Sequence, residues 1–122
     1  MECLEKIWSN ILHETKLAQE TIGENKGLVR NFVIDDYYLR ETAFAAKIFA
    51  TEFVRSGELE YKERANLCIE GLKKKLGNLK NTGLDEPIIT PRGVRKRKGS
   101  IPATILLLES LVEASEMLSQ PN

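Results

Sequence analysis

The sequence has few of the residue types on which metal sites and nucleophilic catalysis depend. Among 122 residues it contains two cysteines and one histidine, and Cys3 and Cys68 lie far apart without a Cys-x-x-Cys pair. A Walker loop, a Gly-x-Gly-x-x-Gly fingerprint and a nucleophile elbow are also absent from the sequence. We therefore predict no metal, no cofactor and two reduced cysteines that lie in the core.

Charge of one sign and long apolar runs are lacking as well. Lysine plus arginine and aspartate plus glutamate each number 18, so the net charge is zero and no attraction of the whole molecule to nucleic acid or an anionic membrane is expected. The longest strongly apolar run, Ile105–Leu108, is far shorter than the ~20 residues that span a bilayer. Residues 1–6 alternate charged and apolar side chains, unlike a secretory signal. We expect a cytoplasmic protein that does not bind membranes.

The sequence is rich in apolar residues at helical spacing. They predict an all-α chain that forms a single domain over residues 1–122, with four main antiparallel helices arranged as two helical hairpins. The second helix begins at Asp35 or Asp36, whose side chains would cap it, and ends at Ser56-Gly57; the third covers residues 59–76. The first helix ends near Gly23 and carries an apolar stripe of Leu4, Ile7, Ile11, Thr15, Ala18 and Ile22.

The fourth helix is predicted to start at Ser100, a good N-cap residue. Apolar residues cover more than half of its circumference, so we expect it to be buried on two sides and to leave part of this surface for a partner. No segment of the sequence shows the alternation that is typical of a half-buried strand, so we predict no β-strand.

A long basic loop is predicted over residues 77–99, between the third and fourth helices. Helical bundles usually connect helices with ~2–8 residues, so a loop of this length indicates a function. Residues 92–98 carry five positive charges within seven positions. Guanidinium groups beside a helix N-terminus can bind an anion; alternatively, these charges pair with nearby acidic residues in a solvated loop. No aromatic residue is interleaved with the basic cluster, which disfavours nucleic acid as a partner.

The polar end of the predicted bundle is the candidate ligand site. Up-and-down packing places the start of the second helix, the long loop and the start of the fourth helix together. Adjacent carboxylates could serve acid–base chemistry, but aspartate is also a common helix cap, so no catalytic residue is assigned. The candidate ligand-binding residues are Asp35, Asp36, Arg92, Arg95, Arg97 and Ser100.

The residues from position 38 onward resemble a known family. The segments 38–50 and 60–72, joined by a Ser-Gly-Glu turn, look like one hairpin of an (α/α) toroid, and residues 99–109 look like the start of the next hairpin. Such toroids include six-hairpin glycosidases, sugar epimerases and terpenoid cyclase-like proteins. The resemblance implies either assembly into a larger helical array or retention of the hairpin fold alone. It carries over no catalytic residue.

Two functions follow from these observations. The first is a non-catalytic helical module that acts through self-association or partner binding, with a homodimer as the simplest assembly and an anion site in the basic loop. The second is a carbohydrate- or phosphometabolite-binding relative of the toroid enzymes that uses the polar end. A loop that folds back over Asp35 and Asp36 would favour the ligand site, and a loop that projects into solvent would favour association.

Overall fold

Four helices make up most of the part of the chain that the structure describes. The computed structural model describes residues 2–31, 33–77, 85–98 and 101–120. It confirms the prediction of a mainly α-helical protein with four helices. In chain order the elements are α1 (Glu2–Ala18), β1 (Tyr37–Tyr38), α2 (Leu39–Ser56), α3 (Leu59–Gly77), β2 (Asp85–Thr90), β3 (Gly93–Lys98) and α4 (Ile101–Leu118).

The α2–α3 pair forms the predicted antiparallel hairpin. Gly57 follows α2 with φ of 75°, and its N–H donates a hydrogen bond of 2.8 Å to the carbonyl of Phe53. A left-handed residue that closes a helix in this way is usually glycine, because a Cβ disfavours positive φ. The tight turn predicted at Ser56-Gly57 is therefore confirmed.

Helix α2 is the centre of the fold because α3 and α4 both pack closely along it, whereas α3 and α4 barely touch each other. Lys47 pairs with Glu113, and Thr51 Oγ1 lies 3.6 Å from Met117 Sδ. Both residue numbers rise together, so α4 runs parallel to α2 and their amino-terminal ends lie at the same end of the fold. The small side chains of α2 that allow this close packing are all buried: Ala43, Ala45, Ala46 and Ala50.

Three short strands form an antiparallel sheet in the order β1-β2-β3, so the prediction that no segment forms a strand is wrong. Strand β2 pairs with β1 through Ile89 opposite Tyr37, and with β3 through Thr90 opposite Gly93. Ile88 and Ile89 are both buried although adjacent strand residues point to opposite faces. This strand therefore has no apolar–polar alternation that the sequence could reveal.

The β2–β3 turn, Pro91-Arg92, is held by one side chain. Thr90 Oγ1 donates to the carbonyl of Gly93 at 2.8 Å and accepts the main-chain N–H of Arg92 at 3.1 Å. Gly93 has φ of 121°, a conformation that side-chain-bearing residues rarely adopt. Of the long basic loop predicted over residues 77–99, residues 85–98 form a β-hairpin that is anchored to the start of α2, and residues 78–84 and 99 lie outside the described residues.

Helix α1 is shorter than predicted, since it ends at Ala18 and Ile22 is exposed. The chain reverses after Ala18 and forms an isolated bridge between Gln19 and Val29. The reversing loop lies against α3 at Gly27, where a Cβ atom would stand 2.0 Å from the carbonyl oxygen of Leu67. Tertiary contact, rather than an early end of the apolar pattern, therefore ends the helix.

Candidate functional site

The polar end brings together three of the predicted ligand residues. Asp36 and Arg92 line one hollow of about 330 Å³ with Thr90 and Pro91. Asp35 lines an adjoining hollow of about 320 Å³, whose other residues are Asn25, Arg30, Tyr37, Thr90 and Pro91. The turn of the β2–β3 hairpin therefore lies beside both aspartates.

The remaining predicted ligand residues follow the turn. Arg95 and Arg97 lie on β3, where their main chains pair with Ile88 and Glu86. Ser100 lies outside the described residues. Because each hollow contains one aspartate and one arginine, neither presents the purely cationic lining that an isolated anion would favour.

The capping role predicted for Asp35 and Asp36 is wrong. Helix α2 begins at Leu39, its N-cap position is Tyr38, and no side chain caps it there. The two tyrosines that precede α2 are instead extended because they pair with β2. A cap requires the residue just before the helix, and strand pairing moves the aspartates away from that position.

Asn31 connects the loop that precedes β1 to α2, a role that the sequence did not reveal. Its Nδ2 donates to Glu41 Oε1 at 2.9 Å, its Oδ1 accepts the N–H of Val33 at 2.8 Å, and its own N–H donates to the carbonyl of Asp36 at 2.9 Å. Asparagine side chains commonly organise turns in this way. The polar end is therefore built partly by a residue that carries no charge.

The phenol of Tyr37 lies within a polar network at the second hollow. Burial raises the pKa of Tyr37, and a hydrogen bond with Glu20 raises it further, while Arg30 and Asn25 act in the opposite direction. The Oδ1 atom of Asn25 is buried and has no hydrogen-bond partner among the residues that the structure describes. The network joins the loop after α1 to the strand before α2, and within the described ranges it leaves one acceptor unsatisfied.

A second candidate site is a groove between α1 and α4, with α2 as its floor. One part, of about 410 Å³, is lined by Leu4, Glu5, Ile7, Trp8, Ile11, Thr51 and Arg55. The adjoining part, of about 380 Å³, is lined by Trp8, Phe44, Lys47, Ile48, Thr51, Leu106, Glu109, Ser110 and Glu113. Trp8 and Thr51 line both parts, so the two form one continuous surface, which we call the α1–α4 groove.

The apolar stripe of α1 faces this groove. Leu4 is 63% exposed, Ile7 and Ile11 are also exposed, and Leu12 and Ala18 are the buried residues of the helix. The stripe identified in the sequence therefore does form one face of α1, but much of this face is not buried against the core. Cys3 is exposed too, so its predicted core position is wrong, whereas that of Cys68 is confirmed.

A buried carboxylate holds α1 against α2. Trp8 Nε1 donates to Glu52 Oε1 at 2.8 Å, and Arg55 donates to both carboxylate oxygens of Glu52 at 2.8 and 3.2 Å. Burial would raise the pKa of Glu52, but the hydrogen bonds from Arg55 and Trp8 outweigh it and the pKa is lowered. The ionised carboxylate therefore fixes the tryptophan in the middle of the groove.

Helix α4 carries a third apolar surface on its outer side. Ser110 and Ala114 face the core and are buried, whereas Ile105, Leu108 and Val112 are about half exposed, at 47%, 54% and 56%. The i, i+3, i+7 spacing places these three side chains on one face. We call this face the outer stripe of α4. Over its described side chains α4 is thus buried on one side, not on two as predicted.

Comparisons with known proteins return no relative. The sequence matches no protein-family model, and searches of curated proteins and of solved structures found no significant similarity. The resemblance to (α/α) toroids is neither supported nor refuted by these results. Within the described ranges, every helix is too short or too polar to cross a membrane, and no three His, Cys, Asp or Glu side chains cluster as metal ligands would.

Proposed function

We propose that this protein is a non-catalytic helical module that self-associates, with the outer stripe of α4 as the interface. The observation that carries the proposal is the half-exposed row Ile105, Leu108 and Val112 on the side of α4 that faces away from α2. Large apolar side chains that lie together on a surface usually mark an interaction site. A second copy is the simplest occupant, because a two-fold axis lets the same stripe serve both protomers.

The energetics support a helix-to-helix contact. Full burial of one leucine, isoleucine or valine side chain contributes roughly 1.5–3 kcal/mol. Because each protomer contributes the three residues of the stripe, a two-fold contact buries six side chains. Association costs several kcal/mol in lost freedom of the two chains. Six such side chains, each already about half buried, would contribute roughly 5–9 kcal/mol, which is close to this cost, so we expect a weak and reversible dimer.

Light scattering across a concentration series tests this proposal. We expect the mass to rise toward twice the 13.8 kDa of one chain. The variant Leu108→Glu should remain at the monomer mass, because a carboxylate would be buried at the centre of the contact. The matched control is Leu59→Glu, which places the same charge on another exposed leucine, at the start of α3. A monomer at all concentrations, or a Leu108→Glu dimer as tight as the wild type, would overturn the proposal.

A second candidate function is the binding of a carbohydrate or phosphometabolite at the polar end. By the criterion drawn from the sequence, the position of the loop favours this second function, because the β2–β3 turn folds back beside both aspartates, with Arg92 and Asp36 in one hollow and Arg30 and Asp35 in the next. The association proposal is supported instead by the outer stripe of α4. Polar groups of both signs around a tyrosine suit a ligand with several hydroxyl groups. Thermal stabilisation by sugars and sugar phosphates tests it, with loss of the effect in Arg92→Ala and retention in Lys73→Ala, an exposed cation on α3.

A further inference from the structure

The α1–α4 groove has the dimensions of a helix-binding site. Its floor on α2 extends from Phe44 to Arg55, and eleven steps along an α-helix rise by about 16 Å. This length accommodates about three turns of a docked helix. Helix α1 lines the larger part and α4 lines the smaller part, with Trp8 of α1 in both, so an added helix that fills both parts would contact all three helices.

The apolar lining of the groove suits such a helix. Leu4, Ile7 and Ile11 line the α1 wall, Leu106 lines the α4 wall, and the side chain of Trp8 is half buried where the two parts of the groove meet. An amphipathic helix inserts anchors at i, i+3 or i+4 and i+7 into a surface of this kind. The central tryptophan, fixed by Glu52, provides the large and rigid contact that is common at binding hot spots.

The charges around the groove indicate which kind of helix fits. Both cations of the lining are already paired within the chain: Lys47 with Glu113, and Arg55 with Glu52 and Glu5. Glu109 forms no ion pair or side-chain hydrogen bond with the described residues, and α4 carries Glu109, Glu113 and Glu116 but no lysine or arginine. A lysine or arginine of an incoming helix could therefore pair with Glu109 on the α4 wall.

We propose that the α1–α4 groove binds one amphipathic helix of a partner protein, with lysine or arginine residues along the flank that meets α4. A second copy of this chain fits less well. The described helices with free apolar faces are α1 and α4, and α4 would place glutamates against glutamates. A helix seated in the groove of another copy is also a heterologous contact, which gives a closed assembly only where the rotation between copies completes a ring. The outer stripe faces away from α2, and its three side chains line neither part of the groove, so this site does not use the residues of the proposed dimer interface.

The fluorescence of Trp8 provides a direct test, because it is the only tryptophan in the sequence. The probes are two tryptophan-free helical peptides of about 18 residues, long enough to form a helix on docking. Both carry leucines at i, i+3 and i+7; one has lysines and the other glutamates on the flanking positions. We expect the lysine peptide to shift the Trp8 emission to shorter wavelength in a saturable way. We also expect it to bind at least about tenfold more tightly than the glutamate peptide, because several exposed ion pairs with the groove each add a small amount to the affinity.

Variants on each wall make the test specific. Ile7→Glu should abolish binding of the lysine peptide, and Glu109→Lys, an exposed change that leaves the core intact, should weaken it and reduce the preference for lysine. Leu108→Glu, on the outer stripe, should bind like the wild type; it therefore separates failure of this proposal from failure of the dimer. Equal affinity for the two peptides, or unchanged binding by Ile7→Glu, would overturn the proposal. Loss of self-association in Ile7→Glu without peptide binding would assign the groove to a second copy instead.

Discussion

The indole Nε1 of Trp8 on α1 donates a hydrogen bond of 2.8 Å to Oε1 of Glu52 on α2. Glu52 is 5% exposed and its carboxylate is also bound by Arg55, so two donors compensate for its removal from water. This contact determines where the amino-terminal half of α1 lies, because few other side chains of that half are buried. The α1–α4 groove depends on it.

The lowered pKa of Glu52 predicts a pH-dependent contribution to stability. Its folded pKa lies below the ordinary value of 4.5, so the ionised form stabilises the fold above that value and the contribution is lost as pH falls through the folded pKa. Glu52→Gln should lower the free energy of unfolding by about 1–3 kcal/mol near neutral pH. Urea denaturation at about pH 7 and about pH 3 should then show a smaller pH dependence for Glu52→Gln than for the wild type. An identical dependence would contradict this role, and Glu63→Gln on the exposed side of α3 is the control.

Substitution by alanine should reduce stability by different amounts at two glycines of the loop after α1. Gly23 and Gly27 have φ of 86° and 92°, but a Cβ at position 23 meets open space whereas one at position 27 meets the Leu67 carbonyl at 2.0 Å. Gly23→Ala should cost about 1 kcal/mol for the left-handed backbone alone. Gly27→Ala should cost clearly more, about 3 kcal/mol or above, because the loop must move off α3. Denaturation of both variants measures the difference, and equal losses would show that the loop does not pack against α3 as described.

Truncation of one buried side chain in β2 should strongly reduce the free energy of unfolding, although the sequence predicted a loop in this segment. Ile88 is fully buried, so Ile88→Ala should reduce the free energy of unfolding by about 2–5 kcal/mol. Arg92→Ala, at the exposed turn of the same hairpin, should change it by less than about 0.5 kcal/mol. If both substitutions are neutral in chemical denaturation, residues 85–98 do not pack on the helices.

The two cysteines predict unequal reactivity. Burial raises the pKa of Cys68 to about 12, and its Sγ accepts a hydrogen bond from Gln19 at 3.2 Å, whereas Cys3 is exposed. The thiolate is the reactive form. A chromogenic disulfide reagent should therefore modify one thiol rapidly in the native protein and two after denaturation. Rapid reaction of both thiols in the native protein would contradict the burial of Cys68, and Cys3→Ser should remove the fast phase.

The helices could be predicted because their information is local. The spacing of apolar residues along residues 39–56 and 59–77, and a glycine at position 57, specify two helices and a tight turn without reference to any other segment. The candidate site was predicted in part for a similar reason. Antiparallel order alone brings the aspartates near residue 92, and the structure places Asp36 and Arg92 in one hollow.

The strands and the groove could not be predicted. Ile88 and Ile89 are buried on opposite faces, and β1 is two residues long, so neither segment has a periodic signal. Trp8 and Glu52 are separated by 44 residues, and no local pattern indicates such a pair. The capping assignment failed because strand pairing with a distant segment, absent from any local pattern, occupies the residues before α2.

By itself the sequence determined which residues become helical and which side of each helix is apolar, because both properties arise from spacing within a few turns. Only the tertiary structure decided which of these apolar sides is covered. The α2 face is enclosed by α3 and α4, whereas the stripe of α1 and the outer stripe of α4 remain accessible. The hydrophobic effect favours the burial of an apolar face whichever segment covers it. Which segment covers a given face is therefore decided only when the whole chain packs.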